Sequence, residues 1–341
     1  MTAQPALSAA VTQLMQSPDA LIIHQALYAA AKLGVADLVE SDARTTAELA
    51  GQLKVNEDAL YRLLRALASQ GVFEETAPRT FKNSALSRFL RRDEPASLRP
   101  RFLFWGTEIY YRSFGELLYS IETGQPARAK LSGMNTFEQL SRNPELARIF
   151  DDAMTNMTEL VGPAVAAAYD FGAWHSLMDV GGGNGVLLFH ILRTHKQLRG
   201  VLADLPHVLE RARQRGFIAD ELAARTAMQA CDIFREVPSG CRAYMMKSVI
   251  HDWDDQQARE ILVNCRRVVP TDGVLLMVEL GLSEGNLPST GKLIDLVMLV
   301  MTGGRERTIE EYRELLASAR FRLNKVVPTA AAYEIIEAIP M

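Results

Sequence analysis

Apolar residues recur three and four positions apart through "ALIIHQALYAAAKLGVADLVE", "TTAELAGQLKV" and "NEDALYRLLRALASQG", with capping residues at their starts. This spacing predicts three amphipathic helices between about residues 18 and 71. The period then shortens, and "VFEET" and "TFKNSA" read as two short strands joined by a Pro-containing turn. Helices followed by a small hairpin outline a winged-helix-like domain over residues 1–100. From 101 to 170 the pattern is helical again and dense in large side chains, among them Trp105, Phe150, Met154 and Met157. Such a stripe serves either as ordinary core or as a pocket wall for a flat aromatic ligand.

From 171 to 341 strand-like runs alternate with helical ones: "SLMDV", "GVLAD", "AMQACD", "AYMMKSVI", "GVLLMVEL", "NKVVPT" and "AYEIIEAIP". The alternation predicts an α/β domain, a mostly parallel, Rossmann-like sheet of seven strands, with its ligand outside the carboxyl ends of the strands. A chain of 341 residues, 48% hydrophobic, is long enough for more than one domain.

Charge narrows the partners. With 37 Lys+Arg against 41 Asp+Glu, the chain offers no general attraction for nucleic acid or anionic lipid. Residues 1–100 are balanced at 11 of each sign, and the helix that would read DNA in a winged helix opens with Glu57 and Asp58. Cys231, Cys241 and Cys265 have no CxxC spacing, so neither a disulfide framework nor a zinc site is expected. The start "MTAQPALSAAVTQLMQ" has no basic residue before an apolar run, and no apolar run reaches about 18 residues. A cytoplasmic protein without a membrane span is the expectation.

"DVGGGNG" follows the first strand of the α/β domain, with Gly181, Gly183 and Gly185 at alternate positions. A dinucleotide fingerprint G-x-G-x-x-G fails, because Val186 and Leu188 stand where the third glycine belongs in the two possible registers. No Gly-Lys-Ser/Thr follows either, so the turn is not a P-loop. It suits a nucleoside without phosphates. Asp204, 19 residues after Gly185, ends the next strand, where a carboxylate can accept from ribose hydroxyls. Asp232 ends the third, placed for an exocyclic amine. Glycine turn, acid and acid on three successive strand ends outline an adenosine site. "MKSVIHDWDD" closes the fourth strand with Lys247, His251, Asp252 and Trp253, and Glu279 ends the fifth. A histidine at that edge, beside acids, can act as a general base near neutral pH. Asp254 and Asp255 are read as caps of the helix that follows.

"LMDVGGGNG", "ADLPHV", "CDIF", "MKSVIHDWDD", "VEL" and "GGRERTIEEYRELLASARF" together closely resemble the S-adenosylmethionine-dependent O-methyltransferases of the plant caffeic-acid type and their bacterial relatives in aromatic natural-product pathways. The resemblance runs over nearly the whole chain. It implies a class I methyltransferase domain, an N-terminal domain that dimerises rather than binds DNA, S-adenosylmethionine as cofactor and no metal. It implies that Gly181, Gly183 and Gly185 contact the amino-acid portion of the cofactor, with Thr158 near its carboxylate. Asp204, followed by Leu205, would hold the ribose; Asp232 and Ile233 would frame adenine, and Lys247 and Trp253 cover it. His251 matches the family's base, and Glu279 and Glu306 match the acids that flank it. Met154 and Met298 would grip a flat phenolic acceptor, with Phe150 and Trp105 as further wall and Asp252 touching substrate. The chain departs from the family at Cys231, where glycine is usual, and at Met301 and Thr302, where plant members carry a longer Asn-Pro-containing stretch. Beside a nicotinamide oxidoreductase, which the missing third glycine disfavours, two rivals stand against this reading: a cofactor-binding enzyme of the same fold with decarboxylase or hydroxylase chemistry, and a ligand-sensing winged-helix regulator.

Overall fold

The computed structural model describes residues 11–341 except 12, 13, 16, 41 and 217–219. The N-terminal segment read for a targeting signal lies largely outside the described residues. The chain forms two compact units, Met1–Tyr111 and Arg112–Met341.

The first unit comprises α1 (Ser17–Leu33), α2 (Val35–Leu38), β1 (Arg44–Thr45), α3 (Thr46–Leu53), α4 (Glu57–Ser69), β2 (Glu74–Ala77), β3 (Thr80–Lys82) and α5 (Arg99–Trp105). Helix α4 starts where the Asn56 side chain accepts the Ala59 N–H, and it buries Leu60, Leu64 and Leu67 on one face. That face packs with Leu49, Phe73 and Phe81 in one core. The sheet order is β1-β3-β2. Sequence pattern did not foresee β1, because Thr45 serves twice: it pairs with Thr80, and it caps α3 in a reciprocal capping box with Glu48. The acidic start of α4 is paired, since Arg79 reaches Glu57 at 3.4 Å and Asp58 at 2.9 Å. Leu21 and Ile22 of α1 stand exposed.

Helix α6 (Glu108–Gly115) spans the boundary between the units, and the second unit continues with α7 (Leu117–Thr123), α8 (Ala127–Ser132), α9 (Thr136–Arg142) and α10 (Pro144–Ala168). The α/β part then runs β4 (Ser176–Val180), α11 (Val186–Thr194), β5 (Arg199–Asp204), α12 (Pro206–Gln214), α13 (Asp220–Ala223), β6 (Thr226–Ala230), β7 (Ala243–Lys247), α14 (Asp255–Val268), β8 (Val274–Leu280), α15 (Thr290–Met301), α16 (Ile309–Ser318), β9 (Phe321–Pro328) and β10 (Tyr333–Pro340). The sheet order is β6-β5-β4-β7-β8-β10-β9. The first five strands in that order are parallel, and β10 is antiparallel to both β8 and β9. Strand order reverses between β4 and β7, which opens a crevice at their carboxyl ends.

The central strands carry little polar alternation because both faces are covered: β8 is buried at every position. Helix α14 lays Ala258, Ile261, Leu262 and Cys265 onto the sheet, against Met246, Leu275 and Met277. Its start corrects the expectation of two capping acids. Asp254 does cap, accepting the Gln257 N–H at 2.8 Å, whereas Asp255 binds Arg307 and Arg305. All three cysteines are buried free thiols. Among the described residues no helix is long and apolar enough to cross a membrane.

Candidate active site

The turn after β4 is built by three glycines with left-handed backbones, Gly181 (φ 70°), Gly183 (φ 58°) and Gly185 (φ 76°). A side chain at Gly182 would meet Asp179 and Leu202 at 2.6 Å, while the space beyond Gly183 is open to 4 Å. The turn therefore packs tightly behind and leaves room in front. Asp204, at the end of β5, fastens it: its Oδ2 accepts the Gly183 N–H at 2.8 Å, and its Oδ1 the Leu205 N–H at 2.7 Å. Burial raises the Asp204 carboxyl, and those two donors oppose the rise. Each of its oxygens keeps a free lone pair for a further donor.

Two residues of the DVGGGNG segment have no role legible from sequence, Asp179 at the end of β4 and Asn184 in the turn. Asp179 is 2% exposed, and burial, reinforced by the Asp204 charge and opposed by Lys247, pushes its carboxyl up to about 7. Asn184 donates to Thr155 Oγ1 at 2.8 Å, tying the turn to α10, while its buried Oδ1 has no partner among the described residues. Thr158 spends its hydroxyl on the Met154 carbonyl one turn back, at 2.8 Å.

At the end of β6, Asp232 closes its own loop, accepting from the Phe234 N–H at 3.1 Å and lying 3.3 Å from Arg235 Nε; Ile233 packs on the sheet core. Trp253 stacks on Phe137 at 5.3 Å and meets Phe234 edge-on at 4.7 Å. Beside them Leu205, His207 and Gln257 help line an open recess of about 510 Å³. The Lys247 ammonium lies over the Tyr333 ring at 4.8 Å.

His251 sits on a short 3₁₀ turn after β7 and is buried. Its Nδ1 is 2.7 Å from Glu306 Oε1 and 3.9 Å from Glu279 Oε2, and its Nε2 is 4.0 Å from Asp252 Oδ1. Geometry thus separates the two acids that the sequence left equivalent. Glu306 holds the imidazole, and Glu279 instead accepts the Ile250 N–H at 3.2 Å. Burial disfavours the imidazolium, but the Glu306 hydrogen bond and the carboxylates of Asp252, Glu279 and Glu306 outweigh it, pushing the imidazole up to about 10. Burial also lifts the Glu279 carboxyl to about 7 and that of Asp252 to about 6, in each case against the pull of His251.

Glu306 reaches His251 because the segment before it lies backbone on backbone against the histidine turn. A Cβ at Gly304 would fall 2.1 Å from the His251 carbonyl oxygen and 2.6 Å from the Trp253 nitrogen. Arg307, 1% exposed, completes the clamp, with its guanidinium donating to Asp255 and to the Ile250 and Trp253 carbonyls. Neither residue was singled out from sequence; the only signal was the "GGRER" run itself.

Of the residues expected to grip an acceptor, Met298 of α15 is buried, and Met154 and Phe150 of α10 are half-buried. Trp105 belongs to the first unit, where it stacks on Tyr110 at 5.5 Å with planes 11° apart.

This strand order, with a glycine turn, a ribose-type acid and a buried histidine–carboxylate pair along one edge, defines a Rossmann-like class I methyltransferase. Residues 114–322 match the O-methyltransferase domain family, and residues 15–93 match the O-methyltransferase dimerisation domain. The chain is 42% identical to the phenazine O-methyltransferase PhzM of Lysobacter antibioticus, over 96% of each protein. The crystal structure of LaPhzM superposes with a TM-score of 0.94 at 41% identity, covering 98% of this chain and 100% of that one. That of NcsB1, an O-methyltransferase from neocarzinostatin biosynthesis solved with S-adenosyl-L-homocysteine and 1,4-dihydroxy-2-naphthoic acid, gives 0.80 at 33% identity, covering 93% and 96%. The chain belongs to the O-methyltransferase family. These comparisons lend no support to the two rival readings.

Proposed function

We propose that this enzyme methylates a phenolic hydroxyl of a small aromatic acceptor at the expense of S-adenosylmethionine, with His251 taking the hydroxyl proton. When bound, S-adenosylmethionine supplies a methyl group activated by a sulfonium, so the protein has mainly to align the acceptor and remove one proton. The open space before Gly183, the free lone pairs of Asp204 and the unpartnered Asn184 Oδ1 fit such a nucleoside. In this reading Gly181, Gly183, Gly185 and Thr158 hold its amino-acid end, Asp204 and Leu205 its ribose, and Asp232, Ile233, Lys247 and Trp253 its adenine.

The observation that carries the reading is the 2.7 Å pairing of His251 Nδ1 with Glu306, which fixes the tautomer and leaves Nε2 as the proton acceptor. A phenol has a pKa near 10, as for Tyr. An imidazole raised to about 10 matches it, so proton transfer inside the complex is nearly balanced. Asp252, Met154, Met298, Phe150 and Trp105 are assigned to the acceptor. The scheme calls for no metal.

The enzyme is proposed to work as a homodimer through its N-terminal domain, supported by the exposed Leu21 and Ile22. It is further proposed to act without nucleic acid, supported by the paired acidic start of α4, and in the cytoplasm, supported by three unpaired cysteines.

Incubation with methyl-labelled S-adenosylmethionine and hydroxyarenes tests the reaction. His251→Gln should leave cofactor affinity nearly intact while transfer falls by about 10²–10⁴-fold, less for phenols acidic enough to ionise unaided. Equal losses across phenols of different acidity would mean that His251 only orients the acceptor.

A further inference from the structure

Arg128 of α8 is 3% exposed, yet among the described residues no carboxylate, carbonyl or hydroxyl meets its guanidinium, and its Nε is wholly shielded. Arg307, equally buried, shows how this chain treats such a group when it serves structure alone: Asp255 and three backbone carbonyls satisfy it. A buried cation without partners is costly in a folded protein, and proteins retain one where something else completes it. Burial lowers the Arg128 guanidinium to about 10, so it is still charged at neutral pH.

Its place in the fold says what arrives there. Helix α8 packs on α15, which carries Met298 and Met301. Pro126, two residues before Arg128, abuts the turn at Gly303, where a Cβ would stand 3.3 Å from Pro126 Cδ. The Thr136 hydroxyl, at the start of α9, donates to the Met301 carbonyl. Arg128 thus lies on a helix packed against the one that carries Met298 and Met301, and the turn that Pro126 touches leads directly to Gly304 and Glu306. The protein supplies five N–H donors in a planar fork and leaves the matching acceptor to be brought in.

We infer that Arg128 is a specificity-determining residue that receives a carboxylate on the acceptor ring, remote from the hydroxyl presented to His251. The enzyme's substrates are then hydroxyaryl carboxylates. This rests on the methyl-transfer reading above, and the test separates the two.

Hydroxynaphthoates and hydroxybenzoates are titrated calorimetrically into the full-length enzyme saturated with S-adenosyl-L-homocysteine, each beside its neutral counterpart bearing methyl in place of carboxylate. Wild type should favour the carboxylates by about 10- to 150-fold, the range of charge-assisted hydrogen bonds. In Arg128→Met the ratio should fall to about one through loss of the carboxylates alone, and thermal stability without ligand should hold or rise, because an unpaired buried charge is gone. Arg128→Lys should restore only part of the preference, lacking the fork. No preference in wild type for any pair, its survival in Arg128→Met, or equal weakening of both members would overturn the inference. Methyl transfer is followed on the same compounds. Preference without transfer sinks the methyl-transfer reading and keeps Arg128, and transfer without preference does the reverse.

Discussion

Replacing Glu306 by Gln removes the charge on the other side of His251 Nδ1 while keeping the shape of the side chain. The climb of the imidazole from 6.5 to about 10 corresponds to roughly 5 kcal/mol between its two protonation states. Glu306 contributes the 2.7 Å hydrogen bond, whereas Glu279 and Asp252 act from 3.9 and 4.0 Å. A hydrogen bond to a charged group is worth about 1.5–3 kcal/mol, or between one and two pH units. The sign follows from the proposed chemistry: with neutral His251 as the proton acceptor, kcat/KM for a weakly acidic phenol should rise with pH below the imidazole's pKa and level above it. In Glu306→Gln the pKa falls, and the ascending limb should move to lower pH by about one to two units. The plateau should drop about 10- to 100-fold, because the base is weaker and less well held. Near pH 7 the two effects partly offset, so a single-pH assay understates the change. The measurement is a pH profile of methyl transfer with labelled donor, alongside calorimetric cofactor affinity as a control for folding. An ascending limb that stays in place or moves upward would refute the view that Glu306 sets the basicity of His251.

Two further outcomes follow from the geometry. Asp204→Asn leaves one acceptor oxygen where two N–H groups are now held, so cofactor affinity measured by calorimetry should fall by about 1–3 kcal/mol; unchanged affinity would remove Asp204 from the ribose site. Gly304→Ala forces a methyl into the backbone of His251 and Trp253, and both turnover and melting temperature should drop, the latter by several degrees; a fully active, equally stable variant would show that the contact yields freely.

The sequence carried the layer structure well because it depends on periodicity: "SLMDV", "GVLAD" and "AYMMKSVI" announce β4, β5 and the start of β7 by apolar runs. The end of β7 was less legible, since Ser248 takes a positive φ of 52° and turns the chain toward His251 three residues early. β1 was hidden because two residues hold no period, and Thr45 reads as a helix cap, which it also is. Site residues at strand ends could be named because the end of a strand is a place in the sequence. What no spacing could give is depth. Nothing in "PARAKLSG" marks Arg128 as buried and unpartnered, and nothing in "DVGGGNG" says that Asp179 is shut away from water. Likewise Glu279 and Glu306 are equivalent on paper and differ by more than an ångström in their approach to the same nitrogen.

The clamp formed by Gly304 and Arg307 has a bearing on how this architecture diversifies. Helix α15 and the Met301–Thr302 turn end immediately before it, so insertions, deletions or exchanged side chains in the proposed acceptor wall stop at a joint that is pinned to the histidine turn from behind. Selection can then reshape what the enzyme accepts without recalibrating how a proton is removed, as a lock can be rekeyed without replacing its bolt. An enzyme laboratory seeking new acceptors should accordingly randomise α8 and α15 and leave residues 303–307 untouched.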